Sequence, residues 1–389
     1  MIDKRTVTDY WFTIEPYVYI GFTNKYALLY NTLDRVTIDS DKPEVIELLQ
    51  EVLQKENYGV ILLPAKRLQN KSIYAFITEL REKYMGDIID VTLSKGKPIQ
   101  LTPFFNFSDS DKFEIYKKQN FPSDRNILAN LSEINIHVDS TTYIKELISF
   151  LQTVPNRLIF NIIGDLDKLT KYKELLSFLN QYSSTKNILC PYTSVISLQP
   201  AFLNNFSYRI TVDFPIHIGS WNNSMEILLN QALPVEYVFN VSSLSDCQKS
   251  EQLIEQFRIE RYQFKPVFTG DNMHFFKENV FLSKEDILST HISIKNIFAN
   301  QSINIFDFGK INIMPNGDVF SNVNHPPLGD IYTSSIFDLV RKEVFEGNSW
   351  LRIRNQAPCN KCVYQWLCPS PSDYEIAIGR PNLCKVIQQ

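Results

Sequence analysis

The first ninety residues combine short runs of β-forming side chains with two amphipathic stretches. Residues 17–20 (Tyr-Val-Tyr-Ile), 27–30 (Ala-Leu-Leu-Tyr) and 35–38 (Arg-Val-Thr-Ile) predict three strands, being short, mostly apolar runs that include aromatic or β-branched side chains. Pro43 then opens a helix whose apolar face is Val45, Ile46, Leu48, Leu49, Val52 and Leu53. A second helix is predicted over 73–84. From 92 to 123 the periodicity fades, and Pro98, Pro103 and Pro122 mark a long connection.

From Leu131 the pattern becomes a regular alternation. Strands are predicted at 134–138, 158–163, 188–190, 208–212, 235–241 and 262–268, with helices near 143–151, 172–179, 225–230 and 251–257. Strands alternating with helices build a largely parallel sheet. Six strands fall short of the eight of a complete barrel. The expected fold class is therefore α/β, an open six-strand partial barrel, with a doubly wound sheet as the alternative. Pro266 cannot donate to a ladder, which places the last strand at an edge. Residues 303–306 and 310–313 are expected to form a hairpin, Pro315-Asn316-Gly317-Asp318 a turn, and 336–344 a helix. The chain thus divides into a small N-terminal α+β domain (1–90), a linker (91–130), the partial barrel (131–290) and a C-terminal domain (291–389).

Length and charge narrow the picture. With 389 residues the chain can hold two or three domains. A formal charge of −4 argues neither for a nucleic-acid surface nor for an acidic tail. Met1-Ile2-Asp3-Lys4-Arg5 is not followed by the apolar run of a secretory signal, and no later run is long enough to span a bilayer. A cytoplasmic protein with no membrane or nucleic-acid partner is expected. Triplets such as Asn106-Phe107-Ser108 then carry no glycosylation meaning.

The cysteines change the picture most. Cys190 and Cys247 stand apart, whereas Cys359, Cys362, Cys368 and Cys384 crowd the chain's final segment as Cys-x2-Cys-x5-Cys-x15-Cys. In a reducing compartment such a group points to metal rather than disulfides. Thiolates two residues apart can reach one ion or neighbouring corners of a cluster. Sulfur is a soft donor suited to zinc or iron–sulfur centres. The residues alone leave those two open. Cys190 and Cys247 read as bystanders in the barrel.

Residues from about 304 to 384 resemble the auxiliary-cluster domain called SPASM, which is attached to radical S-adenosylmethionine enzymes that mature peptides. The resemblance rests on Pro315-Asn316-Gly317-Asp318-Val319-Phe320, on Leu328-Gly329-Asp330-Ile331, and on the cysteine series. It implies that Cys359, Cys362, Cys368 and Cys384 hold one 4Fe-4S cluster. Where that family's second cluster would take its cysteines, this chain has Asn322, no cysteine over 306–310, and Ser372 four residues after Cys368. The resemblance implies that this second cluster is lost, with Asn322 and His325 in ordinary polar roles.

The central region resembles the partial barrel of the same enzymes. Their radical cluster is bound by Cys-x3-Cys-x2-Cys after the first strand. The matching stretch here, His137-Val138-Asp139-Ser140-Thr141-Thr142-Tyr143, has no cysteine. Gly164-Asp165 stands near the expected cofactor-contact segment and reads as a strand-to-helix turn, with Asp165 capping. The whole order is similar to a pseudo-radical-SAM protein of Bacteroidales peptide-modification systems (RiPP biosynthesis). That implies a pseudoenzyme that cannot cleave S-adenosylmethionine and binds none. It would be a noncatalytic binding or scaffold partner of a genuine radical SAM peptide maturase, of a small precursor peptide, or of both. An electron-transfer partner using the retained cluster and a zinc-stabilised interaction module are the alternatives. The N-terminal domain could take a leader peptide by strand addition.

Other chemistry is sparse. His217 and His274 read as packing residues. Asp139, Asp165 and Asp213 fall near predicted strand ends, where ligands bind in parallel barrels, and read individually as capping or solvated groups. No phosphate loop, dinucleotide fingerprint or nucleophile elbow stands out.

Overall fold

A computed structural model describes residues 8–57, 59–98, 124–198, 205–231 and 234–386. The chain start at 1–5, the 99–123 part of the predicted linker and the Asn106 triplet lie outside the described residues.

Six short strands build the N-terminal region: β1 (Tyr10–Ile14), β2 (Val18–Phe22), β3 (Ala27–Asn31), β4 (Thr37–Ser40), β5 (Val60–Leu63) and β6 (Gly86–Asp90). They form two antiparallel sheets, β2-β3-β4 and β5-β1-β6. The first contains the three predicted strands. β4 starts later than the sequence suggests because Arg35 has φ 70 and its amide donates to Asn31, closing the β3–β4 turn. The second sheet was not legible: β1 alternates only over Phe12, Thr13 and Ile14, β5 is a short continuous apolar run, and Asp87 and Asp90 interrupt β6. Helix Pro43–Val52 buries the predicted face. The other helix begins at Lys71, because Asn70 Oδ1 accepts the amides of Ser72 and Ile73 at 2.9 and 3.2 Å. Phe12, Val18, Leu29, Leu48, Ile77 and Leu80 belong to one core cluster.

The main sheet is nine-stranded, mixed and mostly parallel. Six parallel strands follow chain order as neighbours: β7 (Glu133–Val138), β8 (Ile159–Gly164), β9 (Lys186–Pro191), β10 (Ser207–Val212), β11 (Val235–Val241) and β12 (Tyr262–Pro266). Their order never reverses between β7 and β12, which sets them apart from a doubly wound sheet. Pro266 sits at the last position of β12, which is an end strand, so its missing N–H interrupts nothing. At the other side, β13 (Lys310–Ile313) joins β7 in parallel, and β14 (Asp318–Phe320) and β15 (Gly329–Asp330) follow antiparallel.

The expected hairpin between 303–306 and 310–313 does not form. Helix Ile294–Ser302 runs up to this point, and the Ile303 and Asn304 amides are taken by Ala299 and Trp350. The antiparallel partner of β13 is instead β14, across the Pro315–Asp318 turn, where Gly317 has φ +91.

Strand alternation explains how β13 is held. Ile134, Ile136 and Val138 enter the core, leaving Glu133, Asn135 and His137 on the opposite face. Four asparagines lie in register on that face. Asn135 Nδ2 donates to Asn312 at 2.9 Å, Asn161 Nδ2 to Asn135 at 2.7 Å, and Asn187 Nδ2 to Asn161 at 2.7 Å. The two inner amides, Asn135 and Asn161, each donate to one strand neighbour and accept from the other, so this polar layer favours one register across β13, β7, β8 and β9. Among the described residues, no helix is long and apolar enough to cross a membrane.

Candidate metal centre

The four late cysteines reach one place by successive tight turns. Cys359 and Cys362 flank a single 3-10 turn, closed by the Cys362 amide on the Cys359 carbonyl at 3.0 Å. The chain turns again so that the Cys368 amide donates to Tyr364 at 2.9 Å. Asn300 Nδ2 then fixes the far side of the loop through the carbonyls of Trp366 and Cys368, at 3.1 and 3.0 Å. Cys384 returns through a parallel bridge to Leu282, framed by Leu282 N to Leu383 O and Lys385 N to Leu282 O.

Cys359, Cys362, Cys368 and Cys384 all line one small pocket, with Leu282, Ile287 and Leu383 as apolar walls. No carboxylate lines it among the described residues. Likewise, no group of three or more His, Cys, Asp or Glu among them is arranged to hold a metal ion. Burial pushes the thiols of Cys362, Cys368 and Cys384 up. Three N–H donors face the sulfurs: Arg354 Nη1 and Asn382 Nδ2 at 3.9 and 3.8 Å from Cys359 Sγ, and the Val386 amide at 3.2 Å from Cys384 Sγ. Soft donors with offsetting N–H groups fit a thiophilic centre and suit neither magnesium nor calcium.

Arg354 organises the surround. Its guanidinium donates to Pro369 O at 2.5 Å, to Ser370 O at 3.4 Å and to Glu375 Oε1 at 2.9 Å. Glu375 also accepts the Ser372 amide at 2.9 Å. The N-terminal sheet packs on the same loop: Tyr19 OH donates to Val363 O at 3.0 Å, and a Cβ on Gly21 would stand 2.1 Å from that oxygen. Only glycine permits β2 to approach so closely. Neither contact was readable from spacing, because the partners lie more than 340 positions apart in the chain.

Asn322, Asp307 and Ser372, which stand where the resemblance implied cysteines of a second cluster, also lie together. Asn322 is buried and donates to both Asp307 oxygens at 3.1 Å and to Asp373. Arg352 reaches Asp307 at 3.5 Å and the carbonyls of Pro371 and Ser372 at 3.1 and 3.3 Å. His325 Nδ1 lies 2.7 Å from Ser349 Oγ. A hydrogen-bonded polar network thus links Asn322, Asp307, Asp373 and Ser372. Burial, then the neighbouring Asp373, pushes the Asp307 carboxyl up to about 6, against the pull of Asn322 and Arg352. Folding therefore retains a proton that the unfolded chain releases, so this group's stability contribution is greatest at low pH. It is lost as pH rises from the ordinary carboxyl range through about 6, a decline on the order of 2–3 kcal/mol. Urea unfolding of Asp307→Asn is expected to show most of that decline removed; a profile identical to the parent's would clear Asp307 as its source.

The strand ends of the parallel sheet are occupied differently. After β7, Asp139 Oδ1 accepts Thr141 N and Oγ1 at 2.7 and 2.6 Å, and its amide donates to Thr142. Gly164 has φ +121 at the end of β8, where a Cβ would lie 2.4 Å from Val138 O. Asp165 makes no side-chain cap; it pairs with Lys168 instead, correcting the capping expectation. Asp213 accepts Asn240 Nδ2 at 2.7 Å. His137 is half-buried, burial lowers its pKa, and its Nε2 has no hydrogen-bond partner among the described residues.

His217 and His274 are exposed, so neither packs as expected; the adjacent cis Phe214-Pro215 turn and the half-buried Met273 and Phe275 make those local contacts. Cys190 is buried in the main core with its thiol pushed up to about 12, and Cys247 packs against that core half-buried. Neither lines the four-cysteine pocket.

No protein-family model matches the chain, and no curated protein matches its sequence. Among solved structures, the chain is similar to Streptococcus suis SuiB bound to S-adenosylmethionine, at 11% identity and a TM-score of 0.37, over 97% of this chain and 100% of that one.

Proposed function

We propose that this chain is a noncatalytic binding or scaffold component of a peptide-modification system, acting beside a radical SAM maturase and its precursor peptide. On this reading the β7–β12 strands are a degenerate partial barrel that cannot cleave S-adenosylmethionine, and 291–389 is a reduced SPASM-like domain. Cys359, Cys362, Cys368 and Cys384 would hold one 4Fe-4S cluster. The observation that supports this is the uneven placing of thiols. Four line one C-terminal pocket, while the loop after β7 holds only the self-bonded Asp139–Thr142 turn.

When bound, such a cluster supplies a cross-link between chain segments and a one-electron couple. The chain's own groups do the rest. Arg354, Asn382 and the Val386 amide offset negative charge on sulfur. Tyr19 and Gly21 seat the N-terminal sheet on the cysteine loop. β4, β5 and β6 stand at sheet ends, where a leader strand could add.

The test is an iron, sulfide and zinc assay after anaerobic purification, joined to co-purification with the maturase and precursor. Iron and sulfide in similar amounts, about four of each per chain, are expected. Zinc without sulfide would replace this centre with the zinc-stabilised module. A reversible spectral change on reduction would favour the electron-transfer role. Unchanged modification rate and product without this chain would overturn the scaffold.

A further inference from the structure

A second cleft, of about 280 Å3, adjoins the four-cysteine pocket. It lies where the β2–β3 turn, the start of the Lys284–Ser289 helix, the Cys362–Tyr364 loop and the Lys385–Val386 segment come together. Cys362 and Val386 line both spaces, so the cleft and the pocket share a wall. The cleft is therefore built jointly by the N-terminal sheet and the cysteine-bearing segment, and a separate N-terminal domain would not contain it.

Its chemistry is lopsided. Tyr26, Val363, Tyr364 and Val386 give it aromatic and aliphatic surface, while Lys284, Lys361 and Lys385 face it against the single carboxylate of Glu285. All three lysines are exposed. The charge of Lys284 acts on Tyr364, and Lys385 stands 3.8 Å from Glu278. Lys361 forms no ion pair among the described residues. A cationic rim over an apolar floor attracts an anion that carries an apolar neighbour. The volume lies just under the range of a small-molecule site, so it suits one or two side chains of a longer segment.

We propose that this cleft binds an acidic segment of a peptide, with Asp or Glu carboxylates on Lys284, Lys361 and Lys385 and an adjacent apolar side chain between Tyr26 and Val363. This deepens the peptide-partner reading and rests on it for the identity of the peptide, which would be the precursor.

The experiment uses the full chain, purified anaerobically, and a fluorescein-labelled octapeptide of alternating Glu and Leu with an amidated C-terminus. Its Gln counterpart and its free-acid form are measured alongside by anisotropy. The Glu peptide is expected to bind, the Gln peptide at least about tenfold more weakly, and the affinity to fall with added salt. Lys361→Glu should weaken binding about tenfold, while Glu285→Lys should tighten it, a gain that misfolding cannot produce. Strong preference for the free acid would mean capture of a chain terminus and would overturn the side-chain assignment. Equal binding of the Gln peptide, tighter binding of a single-stranded oligonucleotide, or indifference to both charge changes would overturn the cleft itself. If the charge series behaves as expected but no precursor or maturase co-purifies, the cleft stands and the partner reading fails. If both co-purify while the charge series is flat, only the cleft proposal fails.

Discussion

If the four thiolates hold the proposed cluster, Cys368→Ser is expected to take iron and sulfide to roughly a quarter of the parent's content or less. Cys368 is the deeply set member of the group. Its amide and carbonyl are both fixed, by Tyr364 and Asn300, so the loop cannot shift to offer another ligand. Serine keeps the shape but replaces a soft donor with a hard hydroxyl that does not ionise in this range. The same loop carries Val363, Tyr364, Trp366 and Leu367, which pack with Tyr19, Leu28 and Tyr30 of the N-terminal sheet. Loss of the centre should therefore also loosen the N-terminal region, seen as earlier proteolysis or a lower first thermal transition. Cys190→Ser and Cys247→Ser are the controls, since neither lines the pocket. A Cys368→Ser protein with full iron and sulfide would remove this residue from the ligand set and with it the four-cysteine assignment.

The order in which the chain yielded to its sequence has a physical logic. Where apolar residues alternate or recur at helical spacing, as in β7, β10 and helix Pro43–Val52, the elements were legible because burial imposes that period. β5 was missed for the converse reason: Val60, Ile61 and Leu63 are buried in a run with no period to read. Register between distant segments was not legible at all. Asn135, Asn161, Asn187 and Asn312 look like ordinary polar interruptions of four strands, and only pairing turns them into one ladder.

The same distinction holds at the site. The spacing of Cys359, Cys362 and Cys368 made their shared pocket legible because those three lie within a few turns of chain. Its surround was hidden because it depends on long-range returns: Cys384 beside Leu282, Gly21 beneath Val363, Asp307 beside Asn322 and Asp373. Asn322 could be singled out as a departure from a cysteine pattern. That it would donate to two carboxylates could not, since Asp307 carries no motif.

Arg354 carries the other large effect. It and Glu375 are 8% and 4% exposed, paired at 2.9 Å, and together they hold the Pro369–Ser372 segment that follows Cys368. Arg354→Met is expected to destabilise the chain by about 3–5 kcal/mol, because Glu375 is left charged and buried without its partner. Its measure is the urea midpoint at constant slope. Arg354→Lys should recover little, since one ammonium cannot serve Pro369, Ser370, Glu375 and the Cys359 sulfur from a fixed planar fork. Glu375→Gln tests the opposite face of the pair. It keeps an acceptor for the Ser372 amide but leaves the guanidinium charge to the sulfurs alone. If those sulfurs hold a negatively charged cluster, Glu375→Gln should cost less than Arg354→Met and should raise the reduction potential of the centre. The double variant Arg354→Met/Glu375→Met is expected to be less damaging than the two single changes added together, because no buried charge is left behind. Unfolding free energies within about 0.5 kcal/mol of the parent for both single variants, on the ordinary scale of surface substitutions, would show that the pair is a bystander to the cysteine loop.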